Sequence, residues 1–192
     1  EIVMDKKFAC QAVLLAAGRS TRFKTKKSKL LFNICGRSMI LYPIIQLQEL
    51  GIETIAVLGY QAEQVQEEIQ HEFSSGISIV IQEEQRGTGH AVAQTKHSWQ
   101  EETILVLSGD TPLITAELLE KLCKTHKEKN ATITFLTTQV IDPTGYGRVV
   151  EVDEKIMIIE EKNCTEQERL ITRINTGIYA FDKKFLEEEI DQ

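Results

Sequence analysis

The stretch AVLLAAGRSTRFKTKKSK, residues 12–29, joins an unbroken apolar run to a basic loop. AVLLA (12–16) shows no polar alternation, so it reads as a strand buried on both faces. Such a strand belongs in the middle of a parallel sheet, where ligands bind beyond the C-terminal strand ends. The residues at that end are Leu15, Ala16, Ala17 and Gly18. They are small or lead into small residues, so the backbone can approach a ligand and turn its N–H groups toward phosphate oxygens. Residues 19–29 then hold Arg19, Arg22, Lys24, Lys26, Lys27 and Lys29 with no acidic residue among them. A solvated surface loop can be basic too. Directly after a buried first strand, though, six cations with no counter-charge call for an anion, and a nucleoside triphosphate supplies one. The loop has neither the GxxxxGK[ST] of a Walker phosphate loop nor the GxGxxG of a dinucleotide site.

Further strands and helices alternate outward from this loop. TIAVLG (54–59), ISIVI (77–81), TILVLS (103–108) and TITFLT (132–137) read as strands. Ser38–Leu50, Ala62–Phe73, Gly89–Trp99 and Thr115–Lys127 read as helices, with Ser38 and Thr115 as N-caps. Gly51 reads as the stop of the first helix, and Pro43 inside it predicts a bend. After Val140 the pattern changes to VVEV and IMII around a turn at Asp153–Glu154, a polar stretch at 160–169, and a strand near Arg173–Phe181. The fold expected is α/β, a Rossmann-like, mostly parallel sheet with helices on both faces, followed by a strand-rich part. One domain over 1–192 is expected, with a nucleotide-binding core at 1–140 and a sugar-binding part at 141–192.

The net charge of −7 argues against a general nucleic-acid binder. No apolar run reaches the roughly 18 residues of a membrane span, and residues 1–9 lack the apolar stretch of a secretory leader. Cys10, Cys35, Cys123 and Cys164 form no CxxC pair, so reduced thiols in a cytoplasmic protein are expected.

Other strand ends carry their own candidates. QEEQRGTGH (82–90) offers Gln82, whose amide both donates and accepts as a nucleobase edge requires. Gly87 and Gly89 allow close backbone approach before a helix N-terminus, although the same residues would make an ordinary strand-to-helix turn. SGDTPL (108–113) places Gly109 and then a carboxylate, Asp110, just past a buried strand, where it can hold Mg²⁺ or simply cap the turn. GYGR (145–148), Glu160 and NTG (175–177) are weak signals singly.

Taken in order, LAAG (15–18), TR (21–22), Lys29, QEEQRGTGHA (82–91), GDTPL (109–113), GYGR (145–148), Glu160 with Lys162, and NTGIY (175–179) resemble the N-acetylglucosamine-1-phosphate uridyltransferase family. In bacteria this is the N-terminal part of a bifunctional enzyme that makes UDP-N-acetylglucosamine, a cell-wall precursor. The QxxQxGTGHA piece is the most specific. LAAG and GD are shared by sugar nucleotidyltransferases generally. The resemblance implies transfer of UMP from UTP to N-acetylglucosamine 1-phosphate, with Mg²⁺ as cofactor. It implies that Leu15, Ala16, Ala17, Gly18, Gln82, Gly87, Thr88 and Gly109 hold the nucleotide. Arg22 and Lys29 would grip the triphosphate as catalytic charges, and Asp110 would bind the metal. Gly147, Glu160 and Asn175 would hold the sugar. Partners are then the two substrates, with no nucleic acid and no membrane; a homo-oligomer is allowed in a longer parent chain. The family loop usually has Gly at Ser20 and Pro at Ser28, and often Tyr at Ser108. The resemblance also implies a chain truncated before a second metal-binding asparagine and before a left-handed β-helix acetyltransferase domain. Other sugar-1-phosphate nucleotidyltransferases, using UTP or dTTP with glucose 1-phosphate, and a non-catalytic sugar-nucleotide-binding relative stay open at this point.

Overall fold

The computed structural model describes residues 9–18, 27–153 and 155–191. In chain order its strands and helices are β1 (Cys10–Ala16), β2 (Asn33–Ile34), β3 (Arg37–Ser38), α1 (Leu41–Glu49), β4 (Glu53–Leu58), α2 (Ala62–Glu72), β5 (Ile77–Ile81), α3 (Thr88–Ala93), β6 (Thr103–Ser108), α4 (Ala116–Glu128), β7 (Ile133–Gln139), β8 (Arg148–Val152), β9 (Lys155–Ile159), β10 (Arg173–Asp182) and α5 (Lys183–Glu189). The chain divides into two compact units, 1–134 with 180–192, and Phe135–Tyr179.

In the first unit, β4, β1 and β6 pair in parallel with β1 at the centre, and β5 joins the far edge of β4, also parallel. Val13 of β1 pairs with Ile55 on one side and Val106 on the other. Ala12, Val13 and Leu14 are all fully buried although successive side chains point to opposite faces. Both faces of the sheet are therefore covered, which is why the strand reads as a continuous apolar run. Among the described residues no helix is long and apolar enough to cross a membrane.

Several local expectations change. Ser38 lies in the small β2–β3 hairpin, and the first helix begins only at Leu41. Pro43 consequently falls in the first turn, where its missing N–H has no carbonyl to meet, and the predicted bend has no cause. The helix expected at Gly89–Trp99 stops at Ala93 and resumes as a 3-10 turn at Lys96–Ser98. The buried Thr95 hydroxyl donates to the Val92 carbonyl at 2.7 Å and accepts the Trp99 indole N–H at 2.8 Å, which closes the chain into that tighter turn. Thr115 does cap its helix, its side chain accepting from Leu118 N–H at 3.3 Å.

In the second unit β8 and β9 form an antiparallel hairpin registered from Arg148↔Ile159 to Val152↔Lys155. Asp153 sits at positive φ in its turn, and Glu154 lies outside the described residues. β10 pairs with β8 at Ile174↔Arg148, so Arg148 occupies the middle of three strands.

Candidate functional site

In the first unit the selected residues gather at the C-terminal ends of the parallel strands. Leu15 is level with Val57 on β4 and Ser108 on β6. Beyond that level the backbones keep converging. Gly109 N–H donates to the Leu15 carbonyl at 2.9 Å, Tyr60 N–H to the Ala17 carbonyl at 3.3 Å, and Gln82 N–H to the Leu58 carbonyl at 2.8 Å. Gly59 is required here, because a Cβ on it would come within 2.8 Å of the Ala17 carbonyl oxygen. A cleft of about 270 Å³ opens at this end, lined by Leu15, Ala17, Gly18, Gln82, Gly87 and Thr88. Gln85, Ala91 and Ser108 line it as well. Gln85 and Ala91 stand inside the QEEQRGTGHA motif, so their place in that stretch was the available signal.

Two selected residues stand back from the cleft surface. Ala16 is buried in β1. Gly109 packs inward, since a Cβ there would lie 2.5 Å from Ile40 Cδ1 and 3.4 Å from Leu30 Cδ2. Gln82 is nearly fully buried. Its amide nitrogen meets His90 Nδ1 at 2.8 Å and the Gly87 carbonyl at 3.4 Å. With its amide hydrogens so engaged, the acceptor oxygen is the group left to read a ligand.

Lys29 and Asp110, far apart in sequence, meet in space. Lys29 Nζ donates to Asp110 Oδ2, and Ser108 Oγ donates to Asp110 Oδ1. Burial pushes the Asp110 carboxyl up, but hydrogen bonds from Lys29 and Ser108, with the ammonium charge, outweigh it and hold the group below its ordinary 3.8. A charged carboxylate therefore stands beside the cleft at neutral pH. Among the described residues no three His, Cys, Asp or Glu side chains come together as a metal cage. Asp110 still fits Mg²⁺, which is commonly bound through one or two carboxylates together with water and substrate phosphates.

Ser28, where proline is usual in the resembling family, adopts φ −57° and ψ 135°, angles a proline also takes. Its N–H, which proline would lack, donates to Gln61 Oε1 at 2.5 Å, while its buried hydroxyl has no hydrogen-bond partner. Arg22 and Ser20 lie outside the described residues.

The second unit brings Gly147, Glu160 and Asn175 together. Asn175 N–H donates to the Gly147 carbonyl at 2.9 Å. A Cβ on Gly147 would sit 3.3 Å from Glu160 Oε1. The Asn175 side chain donates to the Tyr179 hydroxyl at 2.5 Å and accepts from Gly177 N–H at 3.0 Å. The Tyr179 hydroxyl is pushed up chiefly by burial, against the Asn175 hydrogen bond, with a further upward push from the Glu160 carboxylate. An acid, an amide, a phenol and a close glycine thus share one small region. Tyr179 closes the NTGIY motif, so its place in that stretch was the available signal.

Residues 11–192 match the family described as nucleotidyl transferase. The bifunctional protein GlmU of Limosilactobacillus reuteri is 43% identical over 180 residues, covering 91% of this chain and 39% of that protein. The bifunctional protein GlmU of Listeria monocytogenes serotype 4a is 43% identical, covering 98% of this chain and 41% of that one. The chain thus spans about two fifths of the length of these curated relatives. Among solved structures, the inositol-1-phosphate CTP transferase from T. maritima superposes with a TM-score of 0.76 at 18% identity, covering 97% of this chain and 75% of that one. HddC from Yersinia pseudotuberculosis superposes with a TM-score of 0.71 at 21% identity, covering 93% and 79%. These likenesses establish the Rossmann-like α/β fold expected from the strand pattern.

Proposed function

The chain belongs to the nucleotidyl transferase family, and we propose that it transfers UMP from UTP to N-acetylglucosamine 1-phosphate, releasing pyrophosphate. The observation that carries this reading is the Lys29–Asp110 pair set beside a cleft of small residues at the ends of the parallel strands. That arrangement suits a triphosphate with its counter-cation.

A sugar phosphate is largely dianionic at neutral pH, since the second pKa of a phosphate monoester is about 6. Its oxygen attacks the α-phosphorus of UTP in line. The bond from the α-phosphorus to the bridging oxygen breaks, and pyrophosphate leaves with the electron pair. No general base is needed, and what remains for the protein is positioning and charge neutralisation. The Leu15–Gly18 turn and Gly87–Thr88 would take the uridine, with the Gln82 oxygen accepting from the base. Lys29, with Arg22, would hold phosphate oxygens. Asp110 would hold Mg²⁺, which supplies positive charge to the phosphates when bound. Gly147, Glu160 and Asn175 would hold the amino sugar. Synthesis in the cytoplasm, and a homo-oligomer in a longer parent chain, accord with this reading.

The test is pyrophosphate release across a panel of UTP, dTTP and CTP with N-acetylglucosamine 1-phosphate and glucose 1-phosphate, with and without Mg²⁺. Release dependent on Mg²⁺ and greatest for UTP with the amino sugar is expected. Preference for another nucleotide or sugar would overturn the substrate assignment.

A further inference from the structure

Arg148 is a guanidinium almost wholly out of water, at 1% exposure, in a unit of only 45 residues. Its Nη1 donates to the Tyr146 carbonyl. Its Nη2 donates to Glu161 Oε2 at 2.7 Å and reaches the Arg169 carbonyl at 3.5 Å. Glu161 Oε2 also accepts from Gly145 N–H at 3.1 Å, and its Oε1 faces Arg169 Nη1 at 3.5 Å. One carboxylate thus holds the chain on both sides of Tyr146–Gly147, by the backbone before them and the side chain after them.

The two partners are each adjacent in sequence to a residue of the sugar cluster: Arg148 follows Gly147, and Glu161 follows Glu160. Drawing Arg148 and Glu161 together therefore sets how closely Gly147 approaches the Glu160 carboxylate. A hairpin stabiliser would be a simpler role, but the hairpin is already held by five registered residue pairs. Burying an ion pair contributes little net stability against an apolar residue of similar size. Here the contribution is smaller still, because Arg148 Nε is buried without a hydrogen-bond partner. What a planar guanidinium adds that an apolar side chain does not is direction, with donors fixed along several axes at once.

We propose that Arg148 and Glu161 are positioning residues for sugar recognition, a clamp that holds Gly147 and Glu160 at the spacing an amino sugar requires. This rests on the function proposed above. The clamp acts on the affinity for the sugar phosphate and leaves nucleotide affinity alone, since both of its members lie in the second unit.

The test uses Glu161→Gln, which keeps the volume and an acceptor for Gly145 N–H but removes the charge facing Arg148. Calorimetric titration with UTP and with UDP-N-acetylglucosamine, and KM for each substrate, are measured on the whole chain. The expected result is a rise of roughly tenfold in KM for the sugar phosphate, as for the loss of a modest binding contact. A matching loss of UDP-N-acetylglucosamine affinity is expected, with UTP affinity unchanged. Arg148→Lys, which keeps the charge and loses the fork, should fall between the wild type and Glu161→Gln. Equal effects on both ligands, or none on either, would overturn the clamp. If Glu161→Gln does not fold, Glu161→Asp takes its place. A folded Glu161→Asp with wild-type sugar affinity would then mark the pair as purely structural and overturn the proposal. A wild type that turns over another sugar phosphate instead defeats the substrate assignment, and the clamp is then read with that sugar phosphate.

Discussion

The two clusters of this protein are built on opposite plans. In the first unit the cleft is mostly backbone and small side chains at the ends of parallel strands, with a partly exposed ion pair, Lys29 and Asp110, beside it. In the second unit the cluster is made of polar side chains on an antiparallel frame, next to the buried Arg148 and its partner Glu161. A parallel sheet presents its loops at one end by topology alone, so the first cluster needs only permissive residues there. A hairpin presents no such end: Gly147 stands just before β8, Glu160 just after β9 and Asn175 on β10, joined by the Asn175–Gly147 backbone hydrogen bond and, on our proposal, held at their spacing by the Arg148–Glu161 pair. The first cluster should accordingly be sensitive in chemistry at exposed positions, and the second in geometry at buried ones.

The largest effect that could break this contrast is expected at Lys29 and Asp110. Lys29→Ala and Asp110→Asn should each lower kcat/KM by roughly 10²–10³-fold, the scale of removing one charge-stabilising group. Their stability should change by at most about 1 kcal/mol, because the pair is partly solvated. Steady-state kinetics beside thermal melts separates the two quantities. A large drop in melting temperature with unaltered kinetics would reassign the pair to structure.

A smaller effect would sharpen the contrast, using one glycine from each unit. Gly109→Ala would drive a Cβ to 2.5 Å from Ile40 Cδ1, and Ile40 is fully buried with little room to yield. A loss of about 1–3 kcal/mol in stability is expected from such overpacking, read in a denaturant melt. Gly147→Ala meets Ile158 at 3.1 Å and Glu160 at 3.3 Å, and Ile158 is exposed and can shift. Stability should survive there while affinity for the sugar phosphate falls. The reverse outcome, with Gly109→Ala folding as the wild type does, would remove the packing role assigned to that position.

The smallest expected effect lies at Ser28. Its buried hydroxyl has no partner, so Ser28→Ala removes an unsatisfied polar atom while keeping the N–H bond to Gln61. Stability should be unchanged or rise by up to about 1 kcal/mol, visible as a slightly higher melting temperature. A clear loss would mean that the hydroxyl has a partner in solution.

Much of the frame is legible in the sequence. AVLLA, TIAVL and TILVLS are strands because fully covered parallel strands leave an unbroken apolar run, ISIVI is a partly exposed strand beside TIAVL, and the candidate loops follow three of these four segments. The start of α1 was misplaced because Ser38 looks like a cap, whereas the β2–β3 hairpin uses it. That hairpin is set by contacts too short in sequence to leave a periodic signal. The break after Ala93 was missed for a similar reason, since it depends on Thr95 and Trp99 meeting in the interior.

The sequence by itself determined the parallel α/β core, the small-residue turn after β1, and the residue types available at each strand end. These follow from local periodicity and from which side chains permit close approach. The tertiary structure alone decided that Lys29 meets Asp110 across 81 positions, that His90 holds the Gln82 amide, and that Arg148 grips Glu161. Charges carry no record in the chain of which opposite charge they will face. Only the folded backbone, by bringing strand ends and turns together, chooses the partner.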